Sequence, residues 1–239
     1  MRIALLGYGR MGHEVEHAAV AGGHTIILRT DINNPGDFDA DAASGCDVAI
    51  EFTGPEAAAD NIIRALSFGV PVVSGSTGWL ARYDEVVSLC TEKNGSFIYS
   101  SNYSIGVNIL FRLNAELARI MNLFPEYRAG IEETHHVKKL DAPSGTAITL
   151  AGGIAGQHHD YDGWQKAGEK ADPEKIPVTS VREGTVPGIH TVTWTSEADI
   201  ITLKHEALNR KGFAAGALLA AGFISTRKGV FTMADVLSI

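Results

Sequence analysis

Cysteine is scarce in this chain, long apolar runs are missing, and positive charge is in deficit. The only cysteines are Cys46 and Cys90. They are too few for a disulfide framework and lack metal-site spacing, so they read as reduced structural thiols. The longest apolar stretch, "FAAGALLAAGFI", is long enough for a buried helix and too short for a membrane span. The opening "MRIALLGYG" has too brief an apolar core for a signal peptide and reads as a strand. A soluble, cytoplasmic protein is expected. With a net charge of −8, the chain has no overall attraction for nucleic acid or an anionic membrane. No internal repeat or low-complexity tract interrupts it.

What is present is an alternation. Residues 2–7, 24–30, 46–53, 70–76 and 95–101 are short Val- and Ile-rich runs that predict strands. Between them fall helix candidates at 10–22, 55–68 and 79–93, the last two with apolar residues at mixed three- and four-residue spacing. Such alternation predicts an α/β fold, a Rossmann-like doubly wound parallel sheet, with an antiparallel α+β layout as the alternative. At "SNYSIG", 101–106, turn-forming residues break the pattern. Beyond it come a helix over 106–121, a strand at 127–136, a helix from Ser144 to Gly156 and an exposed loop over 157–177. Three more strands follow, antiparallel or mixed, and then a helix at 212–226, apolar on nearly every side and expected to be deeply buried.

The first strand leads into "GYGRMG", which sets Gly7, Gly9 and Gly12 as G-x-G-x-x-G around Tyr8, Arg10 and Met11. The first glycine permits the tight turn, the second lets backbone amides approach a pyrophosphate, and the third lets the helix pack closely. Asp31 ends the second strand, where a carboxylate receives the adenosine ribose hydroxyls. That favours NADH, while Arg29 or Arg10 could offset the extra phosphate of NADPH, so both coenzymes stay open.

A second concentration of chemistry is "ETHHVKKLDAPSGTA", 133–147. Two histidines and two lysines precede a turn into a helix that opens Ser144, Gly145, Thr146. Unsatisfied amides at a helix start, with two hydroxyls, make a carboxylate site. A nearby lysine adds charge, and histidine exchanges a proton near neutral pH. Ser144 is also explained as a plain N-cap. A metal centre is not expected, because no carboxylate or cysteine stands at a ligand interval from the histidines.

With those residues in view, the chain resembles the 4-hydroxy-tetrahydrodipicolinate reductases (dihydrodipicolinate reductases) of the diaminopimelate route to lysine. The signature "HHVKKLDAPSGTA" carries the resemblance, supported by "GYGRMG", "EFTGPEA", "SGSTGW", "SNYSIGVN", "REGTVPGIHTV", "HEALNRKGFAAGAL" and "GVFTMADVL". It implies that His135 is the proton donor and that Lys139 neutralises a small cyclic dicarboxylate substrate. His136, Ser144, Gly145 and Thr146 would bind the carboxylates. Gly75, Ser76 and Thr77, with Ser101, Asn102 and Tyr103, would line the NADH or NADPH site. It further implies a homotetramer of two-domain subunits. Residues 1–104 and 210–239 would form the dinucleotide domain, and 105–209 the α+β substrate and tetramerisation domain with its mixed sheet. Closure about 102–106 would join coenzyme to substrate. The tight G-x-G-R-M-G loop and "SGST" depart from the family's usual G-x-x-G-x-M-G and "GTT".

Two rivals remain. A semialdehyde dehydrogenase needs a nucleophilic cysteine, and neither Cys46 nor Cys90 is well placed. A non-enzymatic NAD(P)-sensing protein accounts for the glycine loop but gives the His-Lys-Ser-Gly-Thr group no role.

Overall fold

Ile3 and Leu5 alternate with Ala4 and Leu6 along the first strand, and all four are buried. A strand that is apolar on both faces needs cover on both sides, which is the signature of a parallel sheet wrapped in helices. The computed structural model describes Met1–Ile239 and divides them into two units, Met1–Ile105 with Arg210–Ile239, and Gly106–Asn209.

Unit one begins β1 (Arg2–Leu6), α1 (Arg10–Ala21), β2 (Thr25–Thr30), α2 (Ala40–Ser44) and β3 (Val48–Glu51). It continues α3 (Pro55–Ser67), β4 (Val72–Ser74), α4 (Tyr83–Glu92) and β5 (Ser96–Tyr99). Unit two holds α5 (from Ile105 to Met121), β6 (Arg128–His135), α6 (Gly145–Ala155), β7 (Gly163–Lys166), β8 (Lys175–Arg182), β9 (Ile189–Thr195) and β10 (Ile200–Glu206). The chain then returns to unit one as α7 (Lys211–Ile224), β11 (Gly229–Phe231) and α8 (Met233–Leu237).

The first sheet runs β11-β5-β4-β3-β1-β2 with every pair parallel, a doubly wound Rossmann-like order whose direction reverses beside β1. Ala4, Leu6 and Ala49 meet α3 and α4 through Ala58, Ile62 and Val86 on one side. On the other side Ile3, Leu5 and Ile50 meet α1 and α7 through Val15, Ala217 and Ile224. Gly216 lets α7 sit directly on the backbone of Tyr103, whose carbonyl a Cβ would strike.

The second sheet is mixed, in the order β10-β9-β6-β8-β7, with β6 parallel to β8 and antiparallel to β9. One face takes α5 and α6, and Ile131, Val178, Val192 and Trp194 pack there against Leu110, Leu150 and Ile154. Fully buried Asn114 on α5 ties the two helices by donating to Leu150 O at 2.9 Å.

Three expectations change. The stretch 157–177 is not simply a loop: it contains β7, paired in parallel with β8, and buries His158 and Tyr161. Tyr161 anchors it, its hydroxyl accepting from Ala129 N at 2.9 Å. The helix at 212–226 is not sunk in the core either. Its small residues Ala214, Ala217, Ala220 and Ala221 face the sheet, and Leu219 is left 45% exposed. The region 79–93 also splits, a short 3-10 turn at Leu80–Arg82 preceding α4.

Candidate functional site

The glycine loop lies where parallel sheets bind ligands, at the carboxyl ends of strands beside the order reversal. Gly7 ends β1 at φ +100, a left-handed conformation, and a Cβ there would run into the Phe52 carbonyl. A Cβ on Gly12 would strike Gly7 O, so the third glycine lets α1 start against the turn. Gly9, at the N-cap of α1, faces open space within 4 Å, the room that a pyrophosphate needs. Arg10 and Met11 begin α1, with Arg10 exposed. The cleft above them holds about 590 Å³ and is lined by Gly7, Tyr8, Gly9, Asp31, Phe52 and Pro55, among others. These features fit a dinucleotide: a backbone cradle only glycine can form, a helix N-terminus and an acid at the ribose position.

Glu51, at the end of β3, is fully buried and was not singled out from the sequence. It accepts from Thr53 N at 2.7 Å, Thr53 Oγ1 at 2.6 Å, Ser74 Oγ at 2.6 Å and Ser76 Oγ at 2.5 Å. One carboxylate thereby fastens the loops after β3 and β4. Gly75 packs flat on Phe52, whose ring a Cβ would strike, while Thr77 is exposed. Ser101 is half-buried and Asn102 buried, the latter capping the following turn through Ser104 N at 2.8 Å. Tyr103 differs from the expectation that it lines the coenzyme site. Its side chain is in the core, with the hydroxyl donating to Ser74 O at 2.8 Å, and burial pushes its pKa well up.

The second cluster is in unit two, at the carboxyl end of β6. Ala129, Ile131 and Glu133 share the inward face of that strand, so the apolar series ends in a carboxylate with no exposed surface. Register brings Ser180 on β8 and His190 on β9 level with Glu133, and His205 on β10 level with His190. Glu133 Oε1 accepts from Ser144 N and from Arg182 Nη2, each at 3.1 Å. Glu133 Oε2 stands 2.7 Å from His135 Nδ1. This close approach of two buried atoms orients the His135 ring. Burial, the largest influence, would raise the Glu133 pKa, but bonds from His135, Ser144 and Ser180 together outweigh it and hold it well below the carboxylate range.

β6 ends at His135, so His135 is buried on the strand and His136 follows in the turn, its N–H on Val186 O at 2.8 Å. His135 Nε2 lies against Gly188, where a Cβ would approach it to 3.0 Å. Ser144 is the N-cap of α6, accepting from Ala147 N at 3.2 Å, and its hydroxyl also lies 3.3 Å from His190 Nε2. Gly145 and Thr146 open the helix, where amides lack intrahelical acceptors. Lys139 is mostly covered and paired to Asp141 at 2.8 Å, while Lys138 is exposed.

Arg182, like Glu133 and His190, was not found from the sequence. Besides Glu133 it binds Asp141 O at 2.6 Å and Lys139 O at 3.3 Å, so one guanidinium shapes the lysine loop and neutralises the buried acid. Glu133, His135 and His190 also bring potential metal-ligand atoms within 4.8 Å of one another, a proximity that the linear spacing concealed.

Burial, then the charge on His135, pushes the His190 pKa down to about 3. Its unfolded value is about 6.5, so the unfolded chain binds more protons as pH falls through that value, and stability falls with it. Burial lowers His158 and His205 as well, in the same sense. Urea midpoints should therefore fall between pH 7 and 5, and His190→Gln should remove up to about 1.4 kcal/mol per pH unit of that slope. An unaltered slope in the variant would show that His190 protonates freely in the fold.

A doubly wound sheet with a glycine cradle, joined in one chain to a mixed-sheet unit with a histidine-lysine cluster, defines a dinucleotide-fold oxidoreductase. Residues 1–103 match the family profile described as "Dihydrodipicolinate reductase, N-terminus", and residues 106–237 its "C-terminus" counterpart. The 4-hydroxy-tetrahydrodipicolinate reductase of Christiangramia forsetii is 46% identical, with 100% of this chain and 98% of that protein covered. The enzyme of the same name from Anaeromyxobacter is 38% identical over 84% of this chain and 76% of its own length. A dipicolinate-bound dihydrodipicolinate reductase from Paenisporosarcina shares the fold, with a TM-score of 0.76, 22% identity and 97% of each chain covered. The chain belongs to the dihydrodipicolinate reductase family. No helix is long and apolar enough to cross a membrane.

Proposed function

We propose that this chain is a cytoplasmic homotetrameric reductase that converts 4-hydroxy-tetrahydrodipicolinate to tetrahydrodipicolinate, with loss of water, in the diaminopimelate route to lysine. The observation that carries the reading is the buried Glu133–His135 pair beside the N-terminus of α6 and Lys139. A nucleotide sensor has no use for that group. The glycine cradle, Asp31 and the loops fastened by Glu51 support a coenzyme role for unit one. NADH or NADPH, when bound, supplies the hydride.

The protein's own residues do the rest. The substrate's carboxylates are held at the start of α6 by Gly145, Thr146 and the Ser144 hydroxyl, together with His136. Lys139 exchanges its bond to Asp141 for a substrate carboxylate, a short move because Arg182 already fixes the loop carbonyls. Glu133 orients the His135 ring through Nδ1 and leaves Nε2 to exchange the proton. A protonated His135 gives that proton to the enamine-like carbon formed as hydride arrives. Contacts of this kind are strongest where water is excluded, and His135, Ser144 and Thr146 are all buried.

The test is coenzyme oxidation followed at 340 nm on substrate generated in situ, with both coenzymes and Lys139→Ala as the control. The variant should lose about ten- to a hundredfold in kcat/KM, the worth of a hydrogen bond to a charged group. No oxidation by a folded protein that still binds NADH would overturn the reductase reading, and sedimentation reads the assembly.

A further inference from the structure

At the ribose end of the coenzyme cleft, the nearest cation is already spoken for. Arg29 is the penultimate residue of β2, two positions before Asp31. Its guanidinium lies 5.7 Å from the centroid of the Tyr8 ring, and Tyr8 and Asp31 both line the cleft. The edge of Arg29 that would grip a phosphate faces Glu16 on α1 instead. Nε donates to Oε1 at 3.1 Å and to Oε2 at 3.2 Å, and Nη2 donates to Oε1 as well. The Tyr8 hydroxyl donates to Glu16 from the cleft side. After Asp31 the chain offers no second cation: Ile32 follows, 93% exposed, and then Asn33, whose N–H is on the Asp31 carboxylate at 2.7 Å.

We propose that Glu16 sets the coenzyme preference, making this chain select NADH over NADPH by locking Arg29 in an ion pair beside Asp31. This rests on the reading that unit one binds a dinucleotide. The Nε–Nη2 edge of an arginine is the fork that takes a phosphate in bidentate fashion, and a carboxylate on that edge blocks it. Glu16, Arg29 and Asp31 together carry one net negative charge, which accepts ribose hydroxyls and repels a phosphate dianion. Hydrogen bonds from Arg29 and Tyr8 hold the Glu16 pKa down to about 2, so the block persists at any working pH. Arg10, exposed at the start of α1, is the other cation near the loop, and the variants below separate its contribution.

The full chain would be titrated calorimetrically with 5′-AMP and with 2′,5′-ADP, and by fluorescence with NADH and NADPH. In the unaltered protein the 2′-phosphorylated ligands should bind about tenfold or more weakly, the expected scale for a like-charge mismatch. Glu16→Gln keeps the shape and removes the charge. It should improve the ratio for the 2′-phosphorylated ligand by about tenfold, and the gain should shrink as salt is added. Adding Arg29→Ala to Glu16→Gln should abolish the gain, which a general change in α1 would not do. Equal affinities in the unaltered protein would overturn the proposal without any variant. So would an unmoved ratio in Glu16→Gln, or a gain that survives loss of Arg29 and points to Arg10. Failure to bind any of these ligands would overturn it together with the coenzyme role of unit one.

Discussion

Replacing Glu133 with alanine lowers the stability of unit two by about 3–5 kcal/mol, the cost of removing one partner from a buried charge pair. Arg182 loses its carboxylate at 3.1 Å, Ser144 N loses its acceptor, and His135 Nδ1 loses the carboxylate oxygen at 2.7 Å. Glu133 combines zero exposure with four dependent groups, Ser180 being the fourth. Urea unfolding followed by tryptophan fluorescence gives the measurement, with Trp164 and Trp194 reporting on unit two and Trp79 on unit one. Glu133→Gln keeps the volume and two of the contacts, so it should fold more stably than the alanine variant yet still lose turnover. A Glu133→Ala protein within about 1 kcal/mol of the parent would mean that water replaces the carboxylate, and the site would have to be redrawn as wet.

His135→Ala should lower kcat by about two to four orders of magnitude, the usual worth of a positioned general acid. KM should move much less, since the carboxylates are held by Lys139 and the start of α6. The alkaline limb of the kcat–pH profile should change with it, because a general acid acts only while it holds its proton. Parallel binding of a dicarboxylate inhibitor separates chemistry from affinity: unchanged binding with lost turnover supports the assignment. A variant that keeps kcat/KM would move the proton donor elsewhere, with His136 the next residue to replace.

Both effects turn on Glu133, and its partnerships could not be read along the chain. The alternating strands and helices of unit one were legible because Val- and Ile-rich runs of six to eight residues alternate with helical stretches. The glycine loop was legible because turn, cradle and helix start occupy six consecutive residues. His135, Lys139 and Ser144 fall within one short stretch. Arg182 and His190 come from β8 and β9, and only strand register brings them to Glu133. A signal was nevertheless present: Ala129, Ile131, Glu133 and His190, Val192, Trp194 are period-two series, each with a polar residue on an otherwise apolar face. Glu51 gives the same signal at the end of β3, the four residues of which are all buried. Composition misled at α7, where alanine and glycine count as apolar yet cover only one side of the helix. β7 and β11 escaped because no Val- and Ile-rich run marks them, and β7 is identified as a strand only through its pairing with β8.

The return of the chain to unit one has a consequence for how the protein is made. The outermost strand pair of the first sheet, β5 with β11, joins residues 96–98 to 229–231, and α7 supplies Ala217, Ala220 and Ile224 to the layer over Ile3 and Leu5. During synthesis the nascent nucleotide unit emerges first but waits, with one sheet face covered only by α1 and the outer edge of β5 unpaired, until all of unit two has left the ribosome. An unpaired apolar strand edge is a template for association with other chains. Premature termination anywhere after unit two would therefore yield a sticky, half-covered sheet rather than a merely shortened enzyme. The last thirty residues act as the closing step of a fold begun at the first.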